Sequence, residues 1–244
     1  MLNMRFLILM CLIPFQLISI SAFSEPLPSP ESKIIQIENF ISPEISRELI
    51  QYYDSQKSDL NQYSDNQLEF GFSIDPRIRQ IVTDIASRIL GVMKERYGLT
   101  SKPYQVDHCA LYCRIPGNSC GYHSDNIRFE CPIHGSDQNF LRKACKGNCS
   151  GSRFVPNHTG WREYTALLYL NEDFQGGEIL FEDGPFNKLY RRVIPIKKNL
   201  LVITPNGPDF YHEVFTIRSG MRYSMHFWFT SDLWHFSRYI QAAQ

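Results

Sequence analysis

From residue 105 to residue 230 apolar positions tend to recur at every second residue, and Gly, Pro, Asn and Asp cut the run into short pieces. Alternation of this kind turns one face of a strand into a core and the other away from it. It predicts strands at about 105–114, 119–125, 161–171, 177–183, 189–194, 199–204, 209–217 and 221–230. The breaks are Pro116-Gly117, Gly176-Gly177, Asp183-Gly184-Pro185 and Asn206-Gly207-Pro208. Upstream the period is that of a helix. Ser42-Pro43-Glu44 offers an N-cap and a proline at the first helical position, and Ile45, Leu49 and Tyr52 or Tyr53 supply an apolar stripe. Asp75-Pro76 opens a longer helix to about Tyr97, carried by Ile78, Ile81, Val82, Ile85, Ile89, Val92 and Met93 and stopped by Gly98. Short strands following two helices predict a mainly β fold: a double-stranded β-helix (jelly-roll) barrel with N-terminal helices packed outside.

The remaining segments set the organisation. Arg5 precedes an apolar run from Phe6 to Ile20, and Ala22 and Ser24 stand at small-residue positions before Glu25. This predicts a cleaved secretory signal over 1–24, with an uncleaved anchor as the rival. Residues 25–104 then form a Pro/Ser-rich linker and helical support, 105–231 the barrel, and 232–244 a tail. A polar, cysteine-bearing insertion at 126–160 interrupts the barrel and is expected to be a stapled surface loop. The chain has 244 residues, 43% hydrophobic and 20% charged, enough for one sizeable core. Its net charge of zero gives no basic footprint for nucleic acid. After signal cleavage no segment is apolar enough to enter a membrane.

Cysteine use fits export. With Cys11 gone, Cys109, Cys113, Cys120, Cys131, Cys145 and Cys149 remain, an even number that predicts disulfides. Cys109 and Cys113 cannot pair with each other within one extended strand, because four residues at ~3.3 Å each hold their Cα atoms too far apart. Cys145-x3-Cys149 also has a spacing that zinc accepts. Two glycosylation sequons, Asn148-Cys-Ser150 and Asn157-His-Thr159, fit the same compartment.

The candidate chemistry rests on three residues. His123 and Asp125 are two apart, so a strand points both to one side, and His212 lies in a later strand. Two imidazoles and one carboxylate are the sequence form of the facial triad that holds non-heme Fe(II) and leaves positions open. Arg222 and Ser224 follow His212 and share a strand face. An inward Arg222 requires an anion, which its fork binds bidentately while the Ser224 hydroxyl adds a bond. Tyr112, if inward, reaches the same anion; otherwise it is a packed aromatic. His226 shares the face of Arg222. No catalytic residue is expected beyond the metal centre.

The run Trp161-Arg-Glu-Tyr-Thr-Ala-Leu-Leu-Tyr-Leu-Asn-Glu-Asp-Phe-Gln-Gly-Gly-Glu-Ile-Leu-Phe181 resembles the core signature of the prolyl hydroxylase-type 2-oxoglutarate/Fe(II) oxygenases. The likeness is nearest to the catalytic domain of the leprecan-type prolyl 3-hydroxylases. It extends to Cys113-Arg114, His123-Ser-Asp125-Asn126, Arg218-Ser-Gly-Met-Arg222 and Trp228-Phe229-Thr230. The resemblance implies Fe(II) on His123, Asp125 and His212, 2-oxoglutarate on Arg222, and L-ascorbate to keep the iron reduced. It implies a dioxygenase of the secretory pathway, in the endoplasmic reticulum lumen or outside the cell. O2 and a peptide or protein are its partners, and succinate and CO2 its coproducts. Proline, at its 3- or 4-position, is the first candidate for the hydroxylated residue, and lysine is the second. The rivals are a non-catalytic jelly-roll binding module that retains the site, and a disulfide-held structural domain with zinc in it.

Overall fold

In the computed structural model, which describes residues 29–56, 67–70, 74–144, 149–184 and 190–242, the helical pattern forms two long helices. α1 (Pro43–Ser55) is capped by Ser42, whose hydroxyl accepts from the Ile45 amide. α2 (Pro76–Tyr97) starts on Asp75, which accepts from the amides of Arg77 and Ile78, and stops at Gly98 in the left-handed region (φ 66°). Its buried stripe is Ile78, Val82, Ile85, Ala86, Ile89, Leu90 and Met93, with Ile81 and Val92 at its margin. Each large apolar side chain so buried contributes about 1.5–3 kcal/mol. No helix among the described residues is long and apolar enough to cross a membrane. The expected leader, Cys145 and the Asn148 sequon lie outside the described residues.

The strands in chain order are β1 (Ile35–Ile37), β2 (Gln67–Glu69), β3 (Gln105–Arg114), β4 (Cys120–His123), β5 (Ile127–Glu130), β6 (Arg153–Pro156) and β7 (Tyr164–Tyr169). They continue with β8 (Gln175–Gly176), β9 (Ile179–Glu182), β10 (Arg191–Ile194), β11 (Leu201–Pro205), β12 (Tyr211–Val214), β13 (Ile217–Ser219) and β14 (Arg222–Thr230). A large antiparallel sheet runs β1-β11-β7-β14-β3-β2, and a smaller one runs β10-β9-β12-β4. The large sheet is buried on both sides. Its outer face (Leu111, Leu168, Ile203, Met225, Phe227) packs under α1 and α2. Its inner face (Leu167, Tyr169, Val202) meets Ile179, Phe181 and Val214 of the small sheet. This is the expected jelly-roll, with β4 as a short edge strand.

Several local expectations are revised. Residues 25–104 supply more than helices: β1 pairs with β11 and β2 with β3, extending both ends of the large sheet. The expected 177–183 strand is shortened to β9, with Gly177 (φ 74°) standing between it and β8, and the 209–217 run splits into β12 and β13. The insertion holds a β5–β6 hairpin and a short helix, α3 (Gln138–Ala144), around Phe129, Cys131 and Leu141. Cys109 and Cys120 carry free thiols, so the disulfide expectation does not extend to them. The tail is docked, with Gln105 bonding both the amide and the carbonyl of Ala242.

Candidate active site

His123 closes β4, and its partner across the pair is His212 of β12. Their ring centroids are 4.4 Å apart. β4 ends at His123, so Asp125 sits on the following turn and not in a strand as expected. It still reaches the same side, with Oδ1 3.5 Å from His123 Nε2. The ligand atoms of the three residues all lie within 4.8 Å of one another.

Each ligand is held from behind. His123 Nδ1 lies 2.6 Å from the Gly121 carbonyl and His212 Nδ1 3.2 Å from that of Phe210. An Nδ1–H committed to a carbonyl leaves the Nε2 lone pair for an ion. Thr165 donates to Asp125 Oδ2 at 2.5 Å, leaving Oδ1 available. Thr159 donates to the Asp125 carbonyl (2.6 Å), and Asn157 Nδ2 to that of Ser124 (3.2 Å). The Asn157 sequon is therefore a clasp on the Asp125 turn, its amide nitrogen engaged in the fold.

Protonation follows from burial and charge. Burial, with His123 close by, pushes His212 down to about 4. Burial alone would keep Asp125 protonated, but His123 and His212 outweigh it and hold its carboxyl well below the ordinary range. Burial also disfavours charge on His123, and there Asp125 and Cys120 prevail and raise its pKa. The cluster thus attracts positive charge, which a divalent cation supplies more fully than a proton. Two imidazoles and a carboxylate on one side of an ion suit Fe(II) with positions left open.

The three residues face a cavity of about 200 Å³ whose walls include Tyr112, Arg114 and Trp228. Arg222, the cross-strand partner of cavity-lining Arg114, is fully buried and not on the cavity wall. Its Nε, Nη1 and Nη2 have no hydrogen-bond partner among the described residues. The Tyr169 ring centre is 5.0 Å from its guanidinium carbon, and the Tyr169 hydroxyl is also unpartnered among the described residues. Arg222 and Arg114 are cross-strand partners, so two cations stand side by side on the inner face. A buried unpaired charge costs about several kcal/mol. An anion that accepts from Arg222 and Tyr169 removes that cost, and 2-oxoglutarate offers a carboxylate for it. A Cβ at Gly177 would run into Ile217 and lie 3.2 Å from the Arg222 Cδ, so glycine there lets the chain cover the arginine stem.

Of the two alternatives for Tyr112 the structure shows the inward one, its ring 4.4 Å from that of His226, on the cavity wall. The Ser224 hydroxyl lies 3.2 Å from His226 Nε2, and like Arg222 and Tyr169 it is not on the cavity wall. The tyrosine beside Arg222 is Tyr169, which neighbours Ser224 across the β7–β14 pair. Thr165 and Tyr169 are the residues the motif reading missed. The signal was the inner-face series Thr165, Leu167, Tyr169 within the predicted 161–171 strand.

The model of the 2OG-Fe(II) oxygenase superfamily matches residues 108–230, a span that includes all these residues. Human prolyl 3-hydroxylase 3 is 26% identical over 151 residues, 62% of this chain and 19% of that protein. The chain spans about a fifth of the length of the curated relatives it matches. A Pseudomonas putida prolyl-4-hydroxylase superposes with a TM-score of 0.56 at 16% identity, covering 81% of this chain and 92% of that one. A Trichoplax adhaerens prolyl hydroxylase, solved with a hypoxia inducible factor oxygen degradation domain peptide fragment, gives 0.56 at 16% identity over 82% and 84%. These structural likenesses show the fold. The resemblance read from Trp161 to Phe181 is borne out by the sequence match, which takes in both histidines, Asp125 and the buried arginine: the chain belongs to the 2OG-Fe(II) oxygenase superfamily, whose cofactor and cosubstrate are Fe(II) and 2-oxoglutarate.

Proposed function

We propose that this chain is a peptidyl hydroxylase that uses Fe(II), 2-oxoglutarate and O2, with a prolyl residue as its substrate. In this reading His123, Asp125 and His212 hold the iron, and Arg222 and Tyr169 hold the far carboxylate of 2-oxoglutarate. Tyr112 and Arg114 line the approach. The observation that carries it is the Arg222 guanidinium, buried without a hydrogen-bond partner among the described residues and across the strand pair from cavity-lining Arg114, together with the three-ligand cluster. Iron with 2-oxoglutarate supplies an O2-dependent oxidation that places one oxygen in a C–H bond and releases succinate and CO2.

The protein's own part is positional. The Gly121 and Phe210 carbonyls fix the imidazoles and Thr165 fixes the carboxylate, so the open positions face the cavity. Arg222 sets the cosubstrate's register by a two-point grip, and the enclosing apolar walls (Leu167, Phe181, Val202) exclude water from it. Likeness to proteins named prolyl 3-hydroxylase and prolyl-4-hydroxylase supports proline and leaves both ring positions as candidates. The apolar leader pattern supports action in the secretory pathway, with ascorbate as the reductant that keeps iron ferrous.

The test is turnover of the full chain with Fe(II), 2-oxoglutarate, ascorbate, isotopically labelled O2 and a library of proline-containing peptides. Succinate and a labelled oxygen on a prolyl ring are expected. Succinate no greater than that of His123→Ala would refute the enzyme. Label on lysine alone would refute the substrate.

A further inference from the structure

The insertion contains a second ligand cluster that the oxygenase site does not use. Cys131, His134 and Cys149 bring two sulfurs and an imidazole nitrogen within 4.8 Å of one another. The local chain explains why. Cys131-Pro-Ile-His134-Gly135 is a tight turn: Gly135 takes φ 77°, and its amide and that of His134 both bond to the Cys131 carbonyl at 2.7 and 3.2 Å. Cys149 opens a second turn, closed by a Ser152 amide bond to its carbonyl at 3.1 Å. The two turns touch where a Cβ on Gly151 would lie 3.3 Å from Pro132.

We propose that Cys131, His134 and Cys149 supply three of the four ligands of a tetrahedral structural zinc site. The donor set is soft and borderline, two thiolates and an imidazole, with no carboxylate among the three. Tetrahedral zinc at ~2.3 Å from sulfur and ~2.0 Å from nitrogen sets ligand atoms roughly 3.5–3.8 Å apart, inside the observed span. A disulfide between the two cysteines would leave the histidine's place in the cluster unexplained. The lobe also needs a staple. β5 and β6 pair only with each other among the described residues, and their apolar support is Phe129, Cys131 and Leu141 with Cys149 against them. A two-stranded hairpin on so small a core is marginal unless something else fastens it.

The lobe bears on the oxygenase site through two contacts. Tyr211, next to His212, donates to Gln138 Oε1 at 3.0 Å, and the amide of Tyr122, next to His123, donates to Asn139 Oδ1 at 3.2 Å. Zinc therefore braces the strands that carry both histidines without touching the cavity.

The test is metal content and cobalt substitution of the full chain purified under reducing conditions. About one zinc per chain is expected to survive dialysis against a weak chelator. Cobalt in its place should give thiolate-to-metal charge-transfer absorption, which the His123–Asp125–His212 set has no sulfur ligand to produce. That absorption should vanish in Cys131→Ser, persist in His212→Ala, and strengthen in His134→Cys. If Cys131→Ser fails to fold, the wild-type spectrum and His134→Cys decide the matter. Absent zinc with Cys131 and Cys149 joined in non-reducing peptide maps would overturn the proposal. So would a thiolate band unchanged in folded Cys131→Ser. None of these readouts depends on turnover.

Discussion

Two ligand clusters in this chain are built from opposite materials. His123, Asp125 and His212 offer nitrogen and oxygen from strands and a turn at the rim of a cavity, beside a buried cation. Cys131, His134 and Cys149 offer sulfur and nitrogen from two tight turns packed on Phe129 and Leu141. The first opens onto a cavity with room for a ligand, which suits chemistry. The second has thiolate donors on a lobe in need of fastening, which suits structure. Ligand identity and surroundings, rather than the number of ligands, separate the two.

The largest expected effect tests their independence. Asp125→Ala should abolish iron binding and lower succinate formation at least about a hundredfold. Elemental analysis of the same sample should show its zinc unchanged. Joint loss of both metals would collapse the distinction. Next in size, Arg222→Gln removes a charge-assisted grip worth about 2–3 kcal/mol, so the KM for 2-oxoglutarate should rise roughly 30–150-fold. Arg222→Lys should fall between, since a point charge replaces a fork. Thr165→Val frees Asp125 Oδ2 and should weaken iron affinity about 10–100-fold, measured by competition with a metal indicator. Tyr169→Phe removes one hydrogen bond and should raise the same KM only about fivefold, while leaving iron affinity alone. Equal iron affinities for Thr165→Val and wild type would show that the carboxylate needs no second support.

Much of this was legible before the coordinates. Ser42, Asp75 and Gly98 marked helix ends through backbone demands that act locally. Arg222, Ser224, His226 and Trp228 alternate with Tyr223, Met225, Phe227 and Phe229, so β14 announced a polar inner face and an oily outer one. What stayed hidden depends on distant partners. β1 and β2 are three residues each, too short to carry a period. Tyr169 sits in Leu167-Leu168-Tyr169-Leu170, a run that reads as filling because its strand is buried on both faces. Only the approach of Arg222 from β14 gives its hydroxyl a task. The contact of the Ser224 hydroxyl with His226, two residues on along the strand, was likewise not marked by the motif. The insertion read as a loop because its two strands are four residues each and its small core, Phe129, Cys131 and Leu141, is assembled from separate pieces, which no periodicity encodes.

The pairing of His123 with His212 has a mechanical consequence. An ion shared by these side chains ties together points about 90 residues apart in the chain, whereas Cys131 and Cys149 are separated by about 18. Closing the longer loop restricts the unfolded chain more, by roughly 1–2 kcal/mol at ~0.6 kcal/mol per doubling of length. Among the described residues β4 is an edge strand that pairs only with β12, through an irregular register. Iron held at this place would be a rivet as well as a reagent: chelation should release this edge strand first, and resistance to proteolysis between β4 and β5 should decline in step with catalytic competence.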